Sequence, residues 1–241
     1  MNKQLLEALE SEVNAELAAV AKAEKFLHEP VTDGVVDIGR YLASSPKLLW
    51  ILKEPWEDLQ AGEAGGGWSV TQEIIGKEKY GNRGVFAPMA YVAYSVFNNF
   101  PPWSEIPYAT KDAKVRDALK SIAYINVKKF PGKTTSYNAD IQKYYDLFKL
   151  LLKRQINTIN PDVVIGGRTL PMFSTDLGLK REEFTLEGSL AFCIKNRRLY
   201  IDAYHPAQWT QVKPADYVDE IVSVIKKHNP AAMLAIENSP S

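Results

Sequence analysis

Apolar residues at Leu5, Leu6, Leu9, Val13, Leu17, Val20 and Ala21 recur three and four positions apart, with charged residues between them. That period puts them on one stripe of an amphipathic helix spanning 5–27. Such a stripe most simply packs on the rest of the chain, and the same pattern also suits a dimer or partner contact. Beyond residue 40 the pattern changes. Leu48-Leu49-Trp50-Ile51-Leu52, bounded by Pro46 and Pro55, is too short for a helix and suits a buried strand. The runs at 121–127, at 162–165 before Gly166-Gly167, and at 198–204 before His205-Pro206 read the same way. Helical spacing returns over 85–97, where Pro88 suits a first turn, over 141–159 and over 215–228.

Strands alternating with helices predict an α/β fold, a three-layer sandwich with a central, mainly parallel four-stranded sheet and helices on both faces. One domain over 1–241 accommodates these pieces, with 1–30 packing on it as the N-terminal helix and 236–241 as a flexible polar tail. Ligands of such sheets gather beyond the carboxyl ends of the strands. The loops at 53–57, 126–133, 166–169 and 205–210 are therefore the places for chemistry.

Composition narrows the chemistry mainly by exclusion. With 29 basic and 29 acidic residues, the chain carries no bulk charge to attract nucleic acid or an acidic membrane. The single cysteine, Cys193, forms no internal disulfide and supplies no thiolate cluster. No metal site and no cofactor is expected. Residues 61–67 are Gly-rich, but neither a Walker pattern nor a GxGxxG opens a helix after the first strand. An acidic start without an apolar core, and the lack of any apolar run near the ~20 residues of a membrane helix, point to the cytoplasm and no membrane partner. Oligomeric state is left open.

A few residues at the strand ends stand out. His205 closes an apolar strand and is stiffened by Pro206, so its imidazole is directed above the sheet. Glu54, in Lys53-Glu54-Pro55-Trp56, is a carboxylate at a strand end, suited to orient or deprotonate water. Asn126 ends a third strand with an amide that both donates and accepts, as reading a nucleobase edge requires. Trp68 follows the glycines and offers an indole face for stacking. Lys128, Lys129 and Lys133 form a basic loop, and Arg168 follows Gly166-Gly167, where backbone amides can also receive a phosphate. Each has an ordinary structural use too: a capping histidine, a solvated loop carboxylate, a turn asparagine, a core tryptophan, a solvated basic loop.

The order of these pieces resembles the uracil-DNA glycosylase superfamily from about Leu48 to Thr210. Leu52-Lys53-Glu54-Pro55-Trp56 looks like the family's Gly-Gln-Asp-Pro-Tyr turn, and Gly67-Trp68-Ser69-Val70 like its Phe-Ser-Val segment. Asn126 matches its base-reading asparagine, and His205-Pro206-Ala207 its His-Pro-Ser motif. Lys53, Glu54, Trp56 and Ala207 stand where the family has Gln, Asp, Tyr and Ser. The resemblance implies Glu54 and His205 as catalytic residues, with Lys53, Trp56, Trp68 and Asn126 around the base. It also implies Lys128, Lys129, Lys133, Arg168, Gln208 and Trp209 toward single- or double-stranded DNA, Trp209 as a wedge or stacking group.

The implied function is hydrolysis of the N-glycosidic bond of a uracil or other damaged base extruded from DNA. His205 would stabilise the departing base, and Glu54 would orient water and offset charge on the sugar. Two alternatives accompany it. One is a binding module for nucleobases or nucleic acid that has lost cleavage; the other is a hydrolase of small-molecule nucleosides.

Overall fold

The computed structural model describes residues 2–76, 84–133 and 135–229, with only the backbone of 209–211. Helix α1, Lys3–Ala23, begins where the Asn2 side chain accepts from the backbone N–H of Leu5 at 2.9 Å. It buries Leu6, Leu9, Val13 and Leu17, four positions of the expected stripe, whereas Leu5 is exposed. A short strand β1, Gly34–Val35, and helix α2, Ile38–Ala43, follow. Strand β2, Leu48–Leu52, is buried at all five positions, as its unbroken apolar run requires when both faces are covered.

Helices α3 (Val70–Gly76), α4 (Phe86–Phe97) and α5 (Ala113–Asp117) precede strand β3, Ala123–Asn126. Helix α6, Asn138–Ile159, stops at Asn160, which takes the left-handed conformation (φ 47°) just before Pro161. Strand β4 is Val163–Gly167; an antiparallel pair, β5 (Thr185–Glu187) and β6 (Leu190–Lys195), leads to β7, Arg198–Ala203. Helix α7, Pro214–His228, carries its proline in the first turn, where the missing N–H costs nothing.

Among the described residues seven strands form one mixed sheet, ordered β1-β3-β2-β4-β7-β6-β5. The sequence expectation of four strands is corrected. The four expected strands are the contiguous parallel centre β3-β2-β4-β7, and β1, β6 and β5 extend it with antiparallel pairings. The β6–β7 connection is a two-residue turn, Asn196-Arg197, with both residues at positive φ (50° and 60°), the geometry that joins adjacent strands most tightly.

Two apolar clusters cover the sheet. One face packs β-residues Leu48, Trp50, Leu52, Tyr124 and Ile165 against α3, α4, α5 and α7. The other packs Leu49, Ile51, Ile125 and Val164 against α1, α2 and α6. Alternation along each strand assigns neighbouring side chains to opposite layers. The expected tail at 236–241 lies outside the described residues.

The parallel block gives one location priority. The chain leaves β2 toward β3 on one side and leaves β4 toward β7 on the other, so the crevice at the carboxyl ends of β2 and β4 is the sheet's switch point. Leu52 is level with Asn126 on one neighbour, and Gly167 with Ala203 on the next.

Candidate functional site

At this edge the side chains divide between the two faces of the sheet. On the α4 and α7 side, Asn126 follows Tyr124 by two residues and accepts from its hydroxyl at 3.1 Å. Asn126 is only 1% exposed, and its amide Nδ2 has no hydrogen-bond partner among the described residues. A buried donor left unpaired costs about 1–3 kcal/mol, which is a reason to look for a ligand acceptor there. The backbone N–H of Asn126 is held by Asp33 Oδ2 at 2.8 Å.

His205 joins the same face from the far side of β4. Its ring and Cα lie 3.3 and 3.4 Å from where a Cβ on Gly167 would stand, with Leu52 Cδ2 at 2.6 Å from that point. A side chain at 167 would therefore strike Leu52 and crowd the imidazole, which lies on the same face of β4. Burial, reinforced by the nearby Lys53 charge, lowers the His205 pKa to about 4. The imidazole is neutral at pH 7. Its Nδ1 accepts from the backbone N–H of Ala207 at 3.2 Å, and this hydrogen bond assigns the remaining proton to Nε2. His205 thus presents a fixed, uncharged N–H donor.

Trp68 reaches this region through the chain segment beside Asn126. Its carbonyl accepts from Thr32 N at 3.0 Å, and Asp33, the next residue, holds Asn126. The indole packs partly on the α4 and α7 cluster, and its Nε1 donates to Glu57 Oε2 at 3.0 Å. The glycines before it do not open a space for a ligand. Gly66 and Gly67 take φ values of 88° and 76°, and side chains there would collide with Glu29. The three glycine N–H groups are also taken, by His28 Nδ1, Glu57 Oε2 and Pro30 O.

Glu54 belongs to the other side. Its side chain is 6% exposed and its carboxylate pairs with Lys128 Nζ at 2.8 Å; the same ammonium meets Asp140 at 3.0 Å in the first turn of α6 and sits 5.0 Å from the Tyr144 ring centre. Burial opposes the Lys128 charge, but Glu54 and Asp140 outweigh it and raise its pKa above the ordinary lysine value. Gly132 backbone lies over the carboxylate so closely that any side chain at 132 would strike it. The expected pairing of Glu54 with His205 has no counterpart among the contacts of the described residues at this edge: the charge that His205 feels is that of Lys53, and the Glu54 carboxylate is engaged by Lys128.

The expected basic surface is reduced in the same way. Lys129 is fully buried, and its ammonium pairs with Asp33 at 2.6 Å; burial lowers its pKa while Asp33 opposes that shift. The chain turns the ammonium groups of both Lys128 and Lys129 inward onto carboxylates. Arg168 sits at φ 58° with its backbone N–H on Ala203 O, its guanidinium 3.4 Å from Asp202 and 4.4 Å from the Tyr204 ring centre. Asp202 itself is buried, and its Oδ1 has no hydrogen-bond partner among the described residues, while burial raises its pKa and Arg168 opposes that shift. Lys133, Gln208 and Trp56 are exposed, and Lys53 Nζ donates to Asn138 Oδ1 at 3.0 Å at the start of α6. The side chain of Trp209 lies outside the described residues.

Sequence reasoning missed Asp33 and Glu57, which hold Asn126 and Trp68 in place. Asp33 stands alone in an irregular segment without a periodic or spacing signal, and Glu57, though it lies in the 53–57 loop and precedes Asp58, carries nothing that ties it to Trp68. Among the described residues no cluster of three His, Cys, Asp or Glu side chains is arranged to hold a metal, and no helix is long and apolar enough to cross a membrane. The sequence matches no protein-family model and no curated protein.

Proposed function

We propose that the carboxyl edge of β3, β2, β4 and β7 binds a nucleobase extruded from DNA and hydrolyses its N-glycosidic bond, as the likeness to uracil-DNA glycosylases implies. The observation that carries this reading is a pair of neutral donors on one face of the sheet: the unpartnered Asn126 Nδ2 and the His205 N–H fixed on Nε2. The two are separated across the ends of β2 and β4, the switch point of the parallel block. The gathering of all four motif-bearing strand ends at one edge supports it as well.

In this mechanism the bond from sugar C1′ to the base nitrogen breaks and its electrons stay with the base. His205 Nε2–H hydrogen-bonds the base carbonyl oxygen on which that negative charge collects. A neutral, prepositioned donor of this kind is worth about 3 kcal/mol of barrier. Water adds to C1′, and the proton it releases reaches the nitrogen of the departed base by way of solvent, so that the products are the free base and an abasic sugar. Asn126 selects the base by its edge, and because it is shut from solvent, the base displaces what packs over it. Trp68 stacks on the base.

A second reading, binding without cleavage, is favoured by one specific observation, the engagement of Glu54 with Lys128. The two are separated by incubating the protein with single- and double-stranded oligonucleotides carrying uracil, hypoxanthine or other lesions, followed by alkaline cleavage. Abasic product lost in His205→Gln is expected. Binding without product across the panel selects the second reading, and neither binding nor product rejects both.

A further inference from the structure

Glu57 links two segments that the site needs. Its Oε2 accepts from Gly66 N at 2.9 Å and from Trp68 Nε1 at 3.0 Å, while its own backbone N–H reaches Gly132 O at 3.4 Å. The backbone of Trp68 is independently fixed, because Thr32 N donates to its carbonyl and Ser69 forms a parallel bridge with Thr32. What is left free in a tryptophan with a fixed backbone is two side-chain torsions. A carboxylate on the indole N–H removes that freedom and occupies the ring's polar edge, leaving a face to contact a flat ligand.

We infer that Glu57 is a positioning residue that locks the Trp68 indole as the base-stacking surface, a role that rests on the function proposed above. The acid does not touch the base. It acts by preventing the ring from turning, so that the stacking face exists before the ligand arrives. The loop after β2, which carries Glu57 four residues beyond Lys53, thereby sets the geometry of a platform that lies eleven residues further on.

Hydrogen bonds to a charged acceptor imply that Glu57→Ala weakens base binding about tenfold. Glu57→Gln keeps an acceptor oxygen and recovers most of it. The decisive measurement is a double-mutant cycle with Trp68→Phe, which retains an aromatic face but has no N–H. Binding of free uracil, cytosine, adenine, guanine and hypoxanthine, and of a uracil-containing single-stranded oligonucleotide, is read by calorimetry in all four proteins. Loss on Glu57→Ala in the protein that keeps Trp68, but not in the Trp68→Phe background, is expected; equal loss in both overturns the inference, since Glu57 then acts only through Gly66. A second readout needs no ligand. The emission belonging to Trp68, obtained by difference from Trp68→Phe, should become more accessible to acrylamide quenching in Glu57→Ala, and unchanged quenching also overturns it. If quenching rises but the wild-type protein binds none of the probes, the function proposed above and the stacking role fall together, while the ring anchor itself stands.

Discussion

The two faces of the sheet meet at one edge and are built on opposite electrostatic plans. Toward α6, Glu54, Lys128 and Asp140 satisfy one another, and Lys129 is matched by Asp33 in the interior. Toward α4 and α7, the candidate side chains are uncharged: a neutral imidazole, an amide with a donor to spare, and an indole. The first region is rich in charge and closed. The second presents neutral groups, each held or flanked by one charged residue: Asp33 at Asn126, Lys53 at His205 and Glu57 at Trp68. Charged residues in a loop are thus a weak guide to a site, because charges in a partly buried place recruit each other. An unpaired neutral donor at a strand end is the better guide, since a ligand there can recover its cost, whereas Trp50 Nε1, equally unpaired, lies within the core strand β2.

The largest expected effect tests whether the charged region is structural. Lys129→Ala leaves Asp33 buried without its cation and should cost about 3–5 kcal/mol, measured by urea unfolding. A loss below 1 kcal/mol would mean that the pair opens to water. Next comes Glu54→Gln, which removes the charge facing Lys128 and should cost about 1–3 kcal/mol while base binding persists. Loss of base affinity with intact stability would instead place Glu54 in the site and erase the contrast.

On the neutral side the effect is one of pH. The His205 pKa is about 4 when folded and near 6.5 when unfolded, so between those values the unfolded chain binds more protons. Stability is therefore full above about pH 6.5 and declines as pH falls toward 4, by up to about 3 kcal/mol. Glu10 works in the opposite sense in an overlapping window: burial, with Glu7 nearby, raises its pKa to about 7, so its contribution weakens as pH rises from 4.5 to 7. Thermal melts of His205→Gln in a Glu10→Gln background isolate the histidine, and a slope that survives the substitution assigns the acid sensitivity elsewhere.

Similar in size is the change from Asn126→Ala, which should reduce affinity for the preferred base by about 1–3 kcal/mol with little discrimination left among bases, as competition binding would show. The smallest concerns salt. With Lys128 and Lys129 paired internally, Lys53 and Lys133 are the lysines of the site loops left to face phosphate, so log affinity for single-stranded DNA should fall with log salt at a slope of only about −1 to −2. A slope steeper than about −4 would point to a basic surface elsewhere.

Much of this architecture could be anticipated because its signals are local. The five apolar residues of β2 and the spacing of Leu6, Leu9, Val13 and Leu17 report burial directly, and Asn160-Pro161 marks the end of α6. The added strands were less visible. β1 is two residues long, β5 is largely exposed, and β6 is signalled only by a short apolar run and by Asn196 in its turn. At the site, His205, Asn126 and Trp68 were identifiable as residues at strand ends and after glycines. Their partners were not, since Asp33 is 93 positions from Asn126, and nothing within the 53–57 loop ties Glu57 to Trp68.

The order of residues alone determined that four apolar strands alternate with helices and that a histidine, an asparagine and a carboxylate follow three of them, because hydrophobic periodicity and strand-ending prolines act over a few residues. Which of those side chains share a face was decided only in three dimensions. A strand residue turns to one layer or the other, and past its end the loop is free to choose. Packing sent Glu54 to the lysine beside α6 and left His205 lying over Gly167, because a buried charge finds its counter-charge wherever the fold brings one within reach.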